Sequence, residues 1–157
     1  SKLKINIVNN GEQSDVTPTP PGTIPITPSV GGSDAEYRQR LINAGIKINP
    51  NVTFEGINPS TVDMLIALKS ACSCVVWITS AVRTGVATSN HRPGMGAVDL
   101  APDASLTAFL KRSGTIYSRG DRCATKDSWG GFIFWYEDIG CTSGNTGLHY
   151  HVSQNGR

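Results

Sequence analysis

The chain has no apolar run approaching the roughly 18 to 20 residues needed to cross a bilayer as a helix, which excludes a transmembrane helix. No secretory leader is visible either: Ser1-Lys2-Leu3-Lys4 runs into polar residues, as expected of a mature form or of export by another route. Charge is sparse, at 17% of residues, with 14 Lys and Arg against 12 Asp and Glu and a net charge of +2. Those basic residues are scattered, so nothing resembles the basic patch that a nucleic acid requires. Four cysteines, Cys72, Cys74, Cys123 and Cys141, lack the two close pairs of a zinc ribbon. Cys123 and Cys141 flank an apolar run, where a disulfide would pin the loops at its ends and free thiols would serve equally. Cys72 and Cys74 read as two positions on opposite faces of a strand, where a mutual bond would be strained. Scarcest of all are the histidines, three in 157 residues.

The length allows one domain with an appendage. Residues 1 to 32 differ from the rest. Leu3, Ile5 and Ile7 alternate with polar neighbours as in a short strand, and Asn10-Gly11 marks a turn. Between 16 and 32 lie Pro18, Pro20, Pro21, Pro25 and Pro28, five of the nine prolines, a composition suited to an extended linker. A lone strand on a stiff tether either adds to the edge of a sheet, a partner's or its own, or remains a disordered tail.

A domain is expected from 33 to 157. Ser33-Asp34-Ala35-Glu36 is a capping-box pattern opening a helix to about Asn43, with Gly45 as its stop. Ser60-Thr61-Val62-Asp63 opens a second helix, burying Met64, Leu65, Ala67 and Leu68. A third runs from 103 to 113, stopped by Gly114. Strands are expected over 74–79, 95–100, 132–136 and 148–152. Helices and strands mix without βαβ repetition, so the fold class is α+β: a small, mainly antiparallel sheet with flanking helices.

All three histidines fall in two segments, Ser89-Asn90-His91-Arg92-Pro93-Gly94-Met95-Gly96-Ala97-Val98-Asp99 and Leu148-His149-Tyr150-His151. A His/Asp/His set is what a catalytic zinc site needs, three protein ligands with a fourth position for water. His149 and His151, two apart on a strand, point to one face. If His151 meets a metal, His149 stands beside it.

These segments resemble the zinc peptidases that include lysostaphin-type endopeptidases, D-Ala-D-Ala carboxypeptidases and dipeptidases, and the hedgehog signalling domain. The similarity is nearest the carboxypeptidase branch, whose pattern S-x-H-x-x-G-x-A-x-D is met by Ser89, His91, Gly94, Ala97 and Asp99. One extra residue falls between Gly94 and Ala97, so His91 and Asp99 are eight apart rather than seven. The Gly94-Met95-Gly96 turn is expected to absorb it. Ile78-Thr79-Ser80-Ala81-Val82-Arg83-Thr84-Gly85 resembles the branch's strand ending in Ser-Gly-Tyr-Arg-Ser. The resemblance spans about residues 60 to 157.

It implies that His91, Asp99 and His151 ligate Zn²⁺ and that Arg83 steadies the substrate carbonyl as charge develops on it. Two general bases stay open: Glu137, at the end of an aromatic strand as in the hedgehog branch, and His149, as in lysostaphin-type relatives. Asp138 is a weaker third. Ser89, Tyr150 and Trp135 are candidate substrate contacts, with Trp129 able to join them. The implied activity is cleavage of peptidoglycan stem peptides or cross-bridges by a zinc metallopeptidase, a cell-wall hydrolase. Its implied place is a phage virion, where the N-terminal arm docks on a protein partner, or the secreted or periplasmic envelope. The competing class is a zinc-containing binding module or a structural virion protein with a relic site.

Overall fold

The computed structural model describes residues 31–118, 125–137 and 147–154. The N-terminal strand and nearly all of the proline-rich linker therefore lie outside the described residues, as do Cys123, Asp138 and Cys141.

Helix α1 (Asp34–Asn43) begins where the capping box places it, with the Ser33 side chain accepting from the Glu36 N–H. It buries Tyr37 and Leu41, and Gly45 takes the left-handed conformation (φ +83°) that ends such helices. A two-residue strand β1 (Lys47–Ile48) follows. Helix α2 (Pro59–Cys72) starts slightly earlier than its Ser60 signal, because Asn58 caps Ser60 N–H and Pro59 fits the first turn. Strands β2 (Trp77–Ser80) and β3 (Val98–Leu100) precede α3 (Ala104–Ser113), which Asp103 caps. Strands β4 (Thr115–Ser118), β5 (Thr125–Trp129), β6 (Phe132–Glu137) and β7 (His149–Ser153) complete the order.

The seven strands form one sheet in the order β1-β2-β3-β7-β6-β5-β4. Only β1 with β2 is parallel. The other pairs are antiparallel, so the fold is α+β with a mainly antiparallel sheet. No described helix is long and apolar enough to cross a membrane.

One face of the sheet carries Ile78, Val98, Leu100, Phe134, Tyr150 and Val152, packed with Leu65, Leu68, Leu106 and Leu110 from the helices. Each such side chain stabilises the fold by about 1.5 to 3 kcal/mol when fully buried. Strand residues alternate between faces, so Asp99, Trp135, Glu137, His149 and His151 share the other side.

The cysteine reading needs correction. Cys72 ends α2, Ser73 turns left-handed (φ 48°), and Cys74 is bonded back to Cys72 with a Cα separation of 5.0 Å. The pair lies on a helix end rather than on a strand, so the opposite-face argument does not apply.

Gly114 lets α3 end against β5: a Cβ there would sit 2.7 Å from the Leu110 carbonyl and 3.0 Å from that of Ser128. Nearby, Asp127 is 2% exposed and its Oδ1 has no hydrogen-bond partner among the described residues. Burial raises its pKa, with Lys111 opposing. A carboxyl whose folded pKa exceeds its unfolded value (about 4) loses stability as pH rises through that window. Asp127→Asn should therefore stabilise the fold by on the order of 1 kcal/mol at pH 7 and by almost nothing at pH 3. Thermal unfolding at the two pH values checks this, and a gain of equal size at both would refute it.

Candidate metal centre

Three elements bring the site together. Asp99 is the middle residue of β3 and faces His151 across the β3–β7 ladder. His149 and His151 sit on β7, opposite Glu137 and Trp135 of β6 respectively. His91 comes from the loop between β2 and β3, which is fixed at several points. The Ser89 hydroxyl accepts the His91 N–H at 3.1 Å, and the Arg83 N–H reaches the His91 carbonyl at 2.7 Å. Gly94 turns left-handed (φ +86°) and its N–H meets the Gly56 carbonyl at 2.7 Å. The tight turn expected around Gly94, Met95 and Gly96 is thus present between His91 and Asp99.

Gly96 presses this loop onto α2. Its carbonyl accepts from the Thr61 hydroxyl at 2.7 Å, and a Cβ at Gly96 would overlap Thr61 Oγ1 and lie 3.2 Å from Asn58 Cβ. Gly96→Ala should cost roughly 1 to 3 kcal/mol and displace His91. Denaturant unfolding measures the cost; an unchanged midpoint together with unchanged metal affinity would contradict it.

His91 Nε2, Asp99 Oδ1 and His151 Nδ1 form a triangle. Its sides are 3.3 Å between the two histidines, 3.2 Å from His91 to Asp99 and 3.1 Å from His151 to Asp99. The Ala81 carbonyl, which can only accept, lies 2.6 Å from His91 Nδ1 and therefore holds the proton there. An uncharged His91, the form that binds a metal, then aims a lone pair at the carboxylate oxygen from Nε2, whereas a protonated His91 donates to that oxygen. Lone pairs converging at this range repel unless a positive charge lies among them. Ligands about 2.0 to 2.1 Å from a tetrahedral ion stand about 3.3 Å apart, close to the observed sides. The Ala81 contact is the kind of outer bond that orients a ligating imidazole. His91, Asp99 and His151 thus form a buried group that can hold a metal ion.

Asp99 is the electrostatic centre. Burial acts to raise its pKa, but hydrogen bonds from His151 and His91 and the charges of His91 and His149 outweigh it and hold the carboxyl far below the ordinary range. Its outer oxygen, Oδ2, accepts from Arg83 Nη2 at 2.7 Å. Arg83 Nε in turn donates to Ser80 Oγ at 2.9 Å.

Beside the triangle stands a second pair. His149 Nε2 is 3.2 Å from Glu137 Oε2 and 3.7 Å from Asp99 Oδ1. The Gly147 carbonyl takes the Nδ1 proton of His149 at 2.8 Å, so the contact with Glu137 requires one further proton, shared between the two side chains. Burial pulls the His149 pKa down, but the bond to Glu137 and the charge of Asp99 outweigh it and raise the value above that of an ordinary histidine. Glu137 is 5% exposed. Two groups that hold one proton between them, next to a metal-binding triangle, can take and return a proton.

Of the sequence-derived candidates, His91, Asp99, His151, His149, Glu137 and Arg83 come together. Ser89 lies in the His91 loop, where its hydroxyl accepts a backbone N–H. Tyr150 does not join them. The period-two alternation that puts His149 and His151 on one face turns Tyr150 to the other, where it is 2% exposed and its hydroxyl meets Thr107 Oγ1 at 2.7 Å. Trp135 shares the site's face opposite His151 but is 1% exposed, so it supports the ligand strand and offers no open surface. Trp129 packs edge-on against Phe109 with the core. Sequence reasoning missed the Arg83–Asp99 bond and the Ala81 carbonyl, neither of which leaves a local sequence signal.

No family model matches the chain, and no curated protein or solved structure matches it. The resemblance to zinc peptidases therefore rests on the sequence motifs and their order.

Proposed function

We propose that this chain is a zinc metallopeptidase of the superfamily containing D-Ala-D-Ala carboxypeptidases, lysostaphin-type endopeptidases and the hedgehog domain, acting on peptidoglycan stem peptides or cross-bridges. The observation that carries the reading is the convergence of three ligand atoms beside a proton-sharing Glu137–His149 pair. A site used only for structure needs the first and not the second. The two-nitrogen, one-oxygen set suits zinc.

When bound, zinc supplies a Lewis acid that polarises a carbonyl and makes water a nucleophile near neutral pH. The chain's own residues supply the rest. Glu137, held in place by the Nε2–H of His149, takes a proton from the attacking water. The proton then passes to the nitrogen of the leaving amine as the C–N bond breaks. Arg83, fixed by Ser80 and Asp99, places positive charge where the carbonyl oxygen becomes negative. Asp99 therefore orients the arginine as well as serving as a ligand.

The setting we infer is the bacterial envelope, reached either from a phage virion or by secretion, with residues 1 to 32 as an arm docking on a partner protein. Metal analysis and digestion of purified peptidoglycan test the proposal together. One zinc per chain with released muropeptides is the expected result. One zinc without products would replace it with a non-catalytic binding or structural virion module, and no metal would remove the site.

A further inference from the structure

The Cys72–Cys74 bond spans only two positions of sequence, where α2 gives way to the approach to β2. A disulfide steadies a fold mainly by closing a loop in the unfolded chain, and the shortest loops give the least. The junction it crosses is also held without it. Ser73 N–H reaches the Lys69 carbonyl at 3.3 Å, and the Lys69 ammonium donates to the Cys74 carbonyl at 2.6 Å. Beyond it, Val75 N–H meets Ser105 Oγ at 3.1 Å and Lys47 N–H the Val76 carbonyl at 3.0 Å. A bond so placed can open while its surroundings stay where they are.

The two sulfurs are unequally placed. Cys72 is partly exposed, between exposed Ala71 and Ser73, whereas Cys74 is 4% exposed. The Cys74 N–H faces Cys72 Sγ from 3.1 Å, a donor that supports negative charge on that sulfur. The Lys69 carbonyl opposes this from 4.0 Å, while the Lys69 ammonium brings a positive charge to the same turn. Ser73, inside the ring that the bond closes, is the one non-glycine residue with positive φ among the described residues. That conformation is unfavourable for a residue with a Cβ, and opening the ring releases it.

We propose that Cys72–Cys74 is an exchange site for external thiols, with Cys72 as the sulfur attacked. The incoming thiolate bonds to Cys72 Sγ. The Cys72–Cys74 bond breaks, and its electron pair goes to Cys74 Sγ, which takes up a proton. A second thiolate then attacks the incoming sulfur of the mixed disulfide and releases Cys72, which is protonated in turn. Two external thiols have become one disulfide, and the chain has gained two electrons and two protons. In reverse, Cys72 attacks an external disulfide and Cys74 resolves the mixed one. Neither cysteine belongs to the metal centre, so this stands or falls apart from the peptidase reading.

The zinc-loaded chain is incubated with reduced glutathione, folded and again in denaturant, then quenched and alkylated. Peptide mapping follows Cys72 and Cys74 separately from Cys123 and Cys141. The bond in the folded chain should open at a rate within about tenfold of that in the unfolded chain, with near-ultraviolet dichroism unchanged. Oxidised glutathione should attach to Cys72 of a Cys74→Ser chain at least about tenfold faster than to Cys74 of a Cys72→Ser chain. Slower opening than that, loss of dichroism as the bond opens, or equal labelling of the two cysteines would overturn the proposal and leave a structural clip. Where either variant fails to fold, the original chain decides the same point: a glutathione adduct mapped to Cys72 supports the proposal, and one on Cys74, or on neither, refutes it.

Discussion

A His151→Ala chain is expected to bind no zinc at micromolar concentrations and to lose turnover by at least about a thousandfold. The reason is geometric. His151 Nδ1 stands 3.3 Å from His91 Nε2 and 3.1 Å from Asp99 Oδ1, and its removal leaves one nitrogen and one oxygen, short of the three protein ligands that a catalytic zinc site uses. Losing the polarising ion forfeits several kcal/mol of transition-state stabilisation, and each 1.36 kcal/mol is tenfold in rate. Stability gives a readout that does not depend on activity. Ligand at 1,000 times its Kd adds about 4 kcal/mol to a fold, which in a domain this size moves Tm by roughly 8 to 16 °C. The original chain should show that zinc-dependent shift by calorimetry and the variant should not. An equal shift in both would mean that the ion binds elsewhere.

Glu137→Gln should separate binding from chemistry. Glutamine keeps the shape and can still hydrogen-bond His149, but it cannot accept and return a proton. Turnover should fall by about 10² to 10⁴, with zinc content unchanged because Glu137 is outside the ligating triangle. Hydrolysis rates and metal analysis on the same preparation decide it. Full activity in the variant would transfer the base to His149 alone. Loss of zinc would make Glu137 part of the metal site.

Local physics left much of this in the sequence. The Ser33 capping box, the apolar face of α2 and the aromatic run of β6 state their own structure. The alternation in Leu148-His149-Tyr150-His151 places two imidazoles together and should also have turned Tyr150 away, since period two applies to every residue of the strand. Other elements had no such signature. Lys47–Ile48 is too short to show a period. Thr115–Ser118 and Thr125–Trp129 are mostly polar, and their strand character comes from pairing with each other and with β6. The Glu137–His149 contact follows from β6–β7 register, a tertiary fact. Arg83 was legible as a site residue, but its bond to Asp99 was not: sixteen positions separate them, and only the close passage of the β2 end beside β3 brings them together.

The place of β7 between β3 and β6 has a consequence for how the molecule fails. His151 is 60 positions from His91 and 52 from Asp99, so the group is complete only when the last strand in sequence lies between two earlier ones. Contacts this distant in sequence close slowly. Should β7 slip out, β3 and β6 would be bared at the same moment as adjacent sheet edges, each a template for a neighbouring molecule. An ion held between His151 and Asp99 would thus also act as a rivet against strand exchange. Chelation at moderate temperature should raise light scattering before far-ultraviolet dichroism reports unfolding, and clear solutions through complete unfolding would refute this. An ion bound there would in that sense guard solubility, whatever reaction it served.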